Sequence, residues 1–289
     1  MAQSLNDIKS LLAARGLHPK KKHGQNFLHD GNHMERILEA AQLAAGDLVL
    51  EVGPGTGALT ERLLDAGASV IACEIDSDME SILKARCADH PERGPRFTLI
   101  MGDALDGKHA LNPRIIEALA GRPFKMVANL PYHVASPLIA NLALDHAGMQ
   151  AAIVMVQKEV ADRLAAPPGG KEYGPLGIII QAMFETKRVS VLAPGCFWPP
   201  PSIASAVAAM HRRAKPLCDD PHRFADLVHR LFATRRKQIG TILGRATALP
   251  PGIDPMARPE SLSVEQMAAL ERWLEQPAQT PPAQPAQPL

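Results

Sequence analysis

Three polar positions set against apolar runs could do chemistry together: Glu51, Glu74 and Asn129. Between the first two lies a tight glycine turn, Gly53-Pro54-Gly55-Thr56-Gly57, leading from a predicted strand, Leu48–Glu51, into a predicted helix. Glycine is required there because a Cβ would stand between a ligand and the backbone. The third glycine falls two residues after the second, so the turn is not the dinucleotide fingerprint, which places it three after. A dinucleotide site also uses the helix N-terminus to hold a pyrophosphate. Glu51 before the loop would repel phosphate and favour a cation. S-adenosylmethionine fits, because it carries a sulfonium and an ammonium. About twenty residues on, the predicted strand Ser69–Cys73 ends at Glu74, where a carboxylate suits a ribose diol. The competing reading is a generic βαβ turn with a solvated acid.

Asn129-Leu130-Pro131-Tyr132 follows a predicted buried strand, Phe124–Ala128. Ligands of open α/β sheets bind beyond the carboxyl ends of the strands, so this tetrapeptide faces the same crevice as the glycine loop. An Asn amide oxygen and a nearby backbone carbonyl can both accept from the amine of a base, turning its lone pair toward a methyl donor. Pro131 fixes the chain, and Tyr132 offers a stacking face. Alone, the tetrapeptide is more often a turn. Asp103 ends a third strand after Gly102. It could accept a cofactor's adenine amine, or cap a helix. Phe197 precedes Trp198-Pro199-Pro200-Pro201, where prolines stiffen a loop whose aromatic could stack on a base or plug the underside of the sheet.

The elements that must position these groups alternate. Strands are predicted at 48–51, 69–73, 97–101, 124–128, 151–156, 188–192 and 204–210, with helical patterns between most of them. This predicts a mostly parallel sheet with helices on both faces. Helices are predicted over 4–14, 33–41, 137–144, 159–164 and 173–185, and the stretch 18–28 reads as a basic loop. After a linker-like 216–221, the patterns at 224–231, 236–243 and 264–274 are helical without a strand. The expected division is a sheet domain over 1–213, a small helical domain over 214–275 and a disordered Pro/Ala/Gln tail over 276–289.

Composition narrows the partners. The 289 residues are 46% hydrophobic and 21% charged, an ordinary globular profile. Cys73, Cys87, Cys196 and Cys218 have no C-x-x-C spacing, and the histidines show no metal spacing. No metal is expected, and a reducing, cytoplasmic compartment is. No apolar run reaches membrane-spanning length. Formal net charge is only +1, so any nucleic-acid contact must come from local clusters. Lys20-Lys21-Lys22-His23 and Arg235-Arg236-Lys237 are the two basic runs, with Arg212-Arg213 a weaker third. They are either solvated faces or phosphate contacts.

From about Lys20 to about Leu243 the chain resembles the small-subunit ribosomal RNA adenine N6,N6-dimethyltransferases of the kasugamycin-sensitivity type. The matching motifs run in order: Lys21-Lys22-His23-Gly24-Gln25-Asn26-Phe27-Leu28, the glycine loop, Glu74, Gly102-Asp103 and Asn129–Tyr132. Gln157–Val160, Tyr173–Leu176, Phe197–Pro201 and Arg235–Lys237 complete them. The resemblance implies a class I methyltransferase sheet with a small C-terminal helical domain. It implies S-adenosylmethionine as cofactor, held by Asn26, Leu28, Gly53, Gly55, Glu74, Asp103 and Asn129. It places Asn129, Leu130, Pro131, Tyr132 and Phe197 around a target adenine. The implied reaction dimethylates N6 of two adjacent adenines near the 3′ end of small-subunit ribosomal RNA in an assembling subunit, by a monomer. Lys20, Lys21, Lys22, Arg235, Arg236 and Lys237 are the expected RNA contacts.

The family pattern P-P-K-V-D-S is departed from at Ser202 and Ala204, so the basic residue and aspartate behind any local ion pair or RNA contact there are missing, while the cofactor pocket is untouched. Two rivals remain: an adenine methyltransferase acting on DNA or another RNA, and a non-enzymatic ribosome-assembly or transcription factor on the same fold. The lack of a target-reading domain beyond the small helical one counts against sequence-specific DNA, and the intact acidic and asparagine positions count against the second.

Overall fold

A computed structural model describes residues 3–107, 110–245 and 247–275. Seven strands form one sheet: β1 Leu48–Val52, β2 Ser69–Glu74, β3 Phe97–Met101, β4 Phe124–Asn129, β5 Met149–Gln157, β6 Phe184–Leu192 and β7 Ser205–Arg212. Their order is β3-β2-β1-β4-β5-β7-β6, and β7 alone runs antiparallel to its neighbours. All seven predicted strands are present, most of them a residue or more longer. The strand order reverses between β1 and β4, and that break opens a crevice at the carboxyl edge.

The sequence of β1, Leu-Val-Leu-Glu-Val, is buried along its whole length, as expected for a strand covered on both faces. Its alternate residues feed two cores. Leu48, Leu50 and Val52 join the core built with helices Tyr132–Asp145, Lys158–Leu164 and Pro175–Met183. Val49 joins the opposite core with Ile8 and Leu12 of helix Leu5–Ala13, Met34 and Ile37 of Gly31–Ala41, and Leu63 and Leu64 of Ala58–Asp65. The outer strand β6 carries exposed Lys187 and Arg188, charges that discourage pairing with another chain.

Helices Pro221–Ala233, Ile239–Leu243 and Val264–Glu275 form the C-terminal region. Phe224, Leu227, Val228, Leu231, Met267 and Leu270 belong to the same core as one face of the sheet. Tyr173 Oη donates to the Leu262 carbonyl at 2.9 Å across this junction. The helical region is therefore a layer laid on helix Pro175–Met183, and the chain at 213–217 is tied down by Arg213 N–H to Met183 O (2.9 Å) and Leu217 N–H to Ala182 O (2.8 Å). The predicted disordered tail, 276–289, lies outside the described residues.

Two local expectations change. The helix predicted from Pro137 starts at Tyr132 and carries Pro137 in its interior. Proline read as a helix start here merely forgoes one backbone bond. The basic loop 18–28 contains a 3₁₀ turn, Lys21–His23, and a two-residue strand, Phe27–Leu28. That strand pairs antiparallel with Phe197–Trp198, Phe27 opposite Trp198 and Leu28 opposite Phe197. Nothing within two residues of sequence announces such a distant pairing.

Candidate active site

The crevice is lined by the ends of β1, β2, β3 and β4 and roofed by His23–Leu28. Asn26, Leu28, Gly53, Gly55, Glu74, Asp103, Asn129, Leu130, Pro131 and Tyr132 all border it. The fold thus gathers ten of the predicted site residues from five separate segments.

The glycine loop is tight for reasons internal to the protein. Gly53, Gly55 and Gly57 have φ of +74°, +58° and +80°, which L-residues avoid. A Cβ on Gly55 would lie 2.9 Å from the Phe27 ring, and one on Gly53 would lie 3.3 Å from Pro131 Cδ. The neighbours excluding side chains are the roof segment and the Asn129–Tyr132 loop, so both pack directly on the turn. From behind, Gln3 holds the loop: its amide nitrogen donates to Thr56 O at 3.1 Å, and its amide oxygen accepts from Thr56 Oγ1 at 2.9 Å.

Glu74 is buried, and burial raises its pKa against the pull of its backbone partners. One carboxylate oxygen accepts from Gly55 N–H at 3.0 Å, the other from Asp76 N–H at 2.8 Å. Each oxygen keeps acceptor capacity for a hydroxyl. Glu51 is 1% exposed, and its Oε2 has no hydrogen-bond partner among the described residues. Burial first, then the nearby Glu74, pushes its pKa up to about 8. The neighbouring Thr60 hydroxyl pulls the other way and is outweighed by burial, so a cation at the crevice wall would favour the ionised form. Asp103 is exposed, and its Oδ1 accepts from Leu105 N–H at 3.0 Å, a turn rather than a helix cap.

Asn129 is the last residue of β4. Its side-chain nitrogen donates to the Asn26 carbonyl at 3.1 Å, which fixes the orientation of the amide. No described residue donates to its oxygen, which is left as an acceptor beside the crevice. Leu130 is buried, and its N–H donates to Met155 O at 3.0 Å. Pro131 stands at the head of the helix, and the Tyr132 hydroxyl pairs with Ser205 Oγ at 2.8 Å.

Other expected residues are placed differently. Phe197 is only 3% exposed, does not border the crevice, and packs with Phe27 and Leu28. It stands opposite Leu28 in the two-residue ladder and is buried in the apolar cluster rather than in the crevice. Lys20 is not a free cation: its ammonium meets Asp76 at 2.6 Å and Asp78 at 2.5 Å. Gln25 also donates to Asp76 at 2.7 Å and accepts from Lys20 N–H at 2.8 Å. Asp76, 2% exposed, thus clasps the roof segment to the loop after β2. Arg235 pairs with Glu260 at 3.3 Å. Lys21, Lys22, Arg236 and Lys237 are exposed and form no ion pair among the described residues. Arg212 lies over the Phe184 ring, 4.6 Å from its centroid, and donates to Met149 O at 2.6 Å, so it is structural. Sequence spacing missed Gln3, Gln25, Asp76 and Ser205. Gln25 sits inside a motif already singled out and Asp76 two residues past Glu74, whereas Gln3 and Ser205 carry no local signal. It also hid one proximity: potential ligand atoms of Asp30, His33 and Cys196 lie within 4.8 Å of one another.

Residues 16–276 match the family described as ribosomal RNA adenine dimethylase. The chain belongs to this family. It is 40% identical over 281 residues to the ribosomal RNA small subunit methyltransferase A of Anaeromyxobacter sp. (strain K), covering 92% of this chain and 97% of the relative. It is 38% identical over 278 residues to the protein of the same name from Streptomyces griseus, covering 91% and 92%. Among solved structures, a dimethyladenosine transferase from Plasmodium falciparum aligns with a TM-score of 0.70 at 25% identity, over 84% of this chain and 95% of that one. The 23S rRNA methyltransferase ErmE aligns at 0.67 and 27% identity, over 87% and 100%. The sheet is that of class I S-adenosylmethionine-dependent methyltransferases, and the chain is an enzyme of that type.

Proposed function

We propose that this enzyme dimethylates N6 of two adjacent adenines near the 3′ end of small-subunit ribosomal RNA, acting as a monomer on an assembling subunit. The observation that carries the reading is Asn129. Its amide is oriented by the Asn26 carbonyl, so its oxygen is left to accept from an incoming amine at the mouth of the glycine-loop crevice.

The crevice fits S-adenosylmethionine on its own chemistry. Crevice-lining Glu51 suits the ammonium, Glu74 the ribose diol, Asp103 the adenine amine, and Gly53 and Gly55 the close approach of the ligand. When bound, the cofactor supplies an electrophilic methyl on a sulfonium. Asn129 Oδ1 and a backbone carbonyl of the Asn129–Tyr132 loop accept from the target N6–H groups and turn its lone pair into the crevice. Tyr132 stacks on the extruded base, which offsets part of the few kcal/mol that extrusion costs. The chain supplies orientation and proximity, and the proton released from the amine passes to water.

Among the described residues no helix is long and apolar enough to cross a membrane. A cytoplasmic site fits a ribosomal RNA substrate. Lys21, Lys22, Arg236 and Lys237 are the cations available for phosphates. The test is incubation with tritiated S-adenosylmethionine and undermethylated small subunits, followed by mapping of the labelled bases. Label as N6,N6-dimethyladenine at two adjacent positions is expected. Label at other positions of the small-subunit RNA only, or no label, overturns the reading.

A further inference from the structure

The bond between Tyr132 and Ser205 joins the first residue of a helix to the first residue of a sheet strand. Ser205 is wholly buried and is laddered on both sides, opposite Gln157 of β5 and Leu192 of β6. It opens antiparallel β7, at the same carboxyl edge of the sheet where β4 ends in Asn129. Tyr132 follows Leu130-Pro131 and begins its helix, where no side chain caps the first turn. Its hydroxyl lies 2.8 Å from Ser205 Oγ. A buried hydroxyl keeps its partner because losing it leaves an unsatisfied group. The ring of Tyr132 is therefore held at both ends, by its own backbone and by the sheet.

We propose that Ser205 is a positioning residue for methyl transfer: it pins the Tyr132 ring so that the base plane is set before the amine reacts, and the second transfer depends on it more than the first. This rests on the proposed function. An unmethylated N6 offers two N–H groups to Asn129 Oδ1 and the loop carbonyl. After one transfer a single N–H remains, the amine is bulkier, and the stacked ring carries more of the orientation.

The experiment compares wild type with Ser205→Ala, Tyr132→Phe and the double variant on undermethylated small subunits. It reads kcat, cofactor Kd by calorimetry, thermal midpoint, and the ratio of mono- to dimethyladenine. Each single variant is expected to lose roughly tenfold in kcat, the scale of one hydrogen bond, with cofactor Kd unchanged and monomethyladenine accumulating. The double variant is expected to be no worse than either single one, because all three break one tether. Tyr132→Phe keeps the ring and the helix start, so it serves if Ser205→Ala folds poorly. Wild-type kcat and product ratio in a folded single variant overturn the inference, even if the thermal midpoint falls. So do losses that multiply in the double variant. Failure of the proposed function shows separately, as wild type that forms no dimethyladenine.

Discussion

The glycine-loop side of the crevice and the basic surface proposed to meet RNA are built in opposite ways. On the cofactor side, Glu74, Asp76, Thr56 and Gln3 are buried and bonded to backbone or to one another. Each group there is held by several others. On the basic surface proposed for RNA, Lys21, Lys22, Arg236 and Lys237 stand in solvent without an ion pair among the described residues, whereas Lys20 is tied to buried Asp76 and Arg235 holds a surface pair with Glu260. The lesson is that a basic run in the sequence divides by location. Lys20 abuts a buried acid and becomes structural, while the next two lysines stay available.

The sharpest break in that comparison is Asn129→Ala. Methyl transfer should fall about a hundredfold or more, because the amine loses its aim. Cofactor affinity should change by a few-fold at most, since only one of several holding groups is removed. Tritium incorporation and calorimetry on the same preparation separate the two, and full activity would remove Asn129 from the mechanism.

Glu74→Ala should act the other way round, on binding first. It removes the expected ribose acceptor and leaves Gly55 N–H and Asp76 N–H unpartnered, so cofactor affinity should drop roughly ten- to a hundredfold. An unchanged calorimetric Kd would assign Glu74 to the loop alone.

Glu51 sharpens the contrast through pH. Its folded pKa of about 8 stands above the ordinary 4.5, so the empty folded protein holds a proton that the unfolded chain releases. That stability is complete below the ordinary value and is lost as pH rises through about 8. Ionised Glu51 suits a cation, so cofactor affinity should climb as pH rises toward 8, by at most about tenfold per unit. Glu51→Gln should remove that part of the slope, and calorimetry across the window in both proteins isolates it from titration of the ligand's own amine.

The smallest effects belong to the exposed cations. Replacing Lys21, Lys22, Arg236 and Lys237 together should weaken binding to subunit particles. The log–log salt slope should shrink by up to about 0.7–0.9 for each phosphate no longer neutralised. Cofactor affinity should not move. Lys20→Ala should do the reverse, loosening the Asp76 clasp and the cofactor while leaving the salt slope nearly intact. If Lys20 instead shifts the slope, its ion pair opens on RNA.

How far the sequence can be read follows the same division. β1, β2 and the glycine turn are contiguous, and their apolar runs and φ-demanding glycines are local signals. Asn129 is legible because the tetrapeptide follows a strand. Phe197 is expected from its motif as a site aromatic, but its burial away from the crevice is not legible, since its partner Leu28 lies far away in the chain. The tether of Tyr132 to Ser205 and the staple of Gln3 to Thr56 are likewise tertiary facts. Residues 137–144 read as a helix with proline at its head, because an interior proline in an otherwise regular helix has no sequence signature of its own.

The pairing of Phe27–Leu28 with Phe197–Trp198 has a consequence for synthesis. The roof over the glycine turn is made early on the ribosome, but the strand that holds it is made only after β6. Until then the roof is held by the Asp76 clasp and the Asn26–Asn129 bond alone, without the ladder that fixes Phe27 and Leu28. Closure is thus among the last long-range contacts to form, a high-sequence-separation step of the kind that slows folding. A nascent chain released before Trp198 should carry the glycine turn yet lack the closed cofactor site.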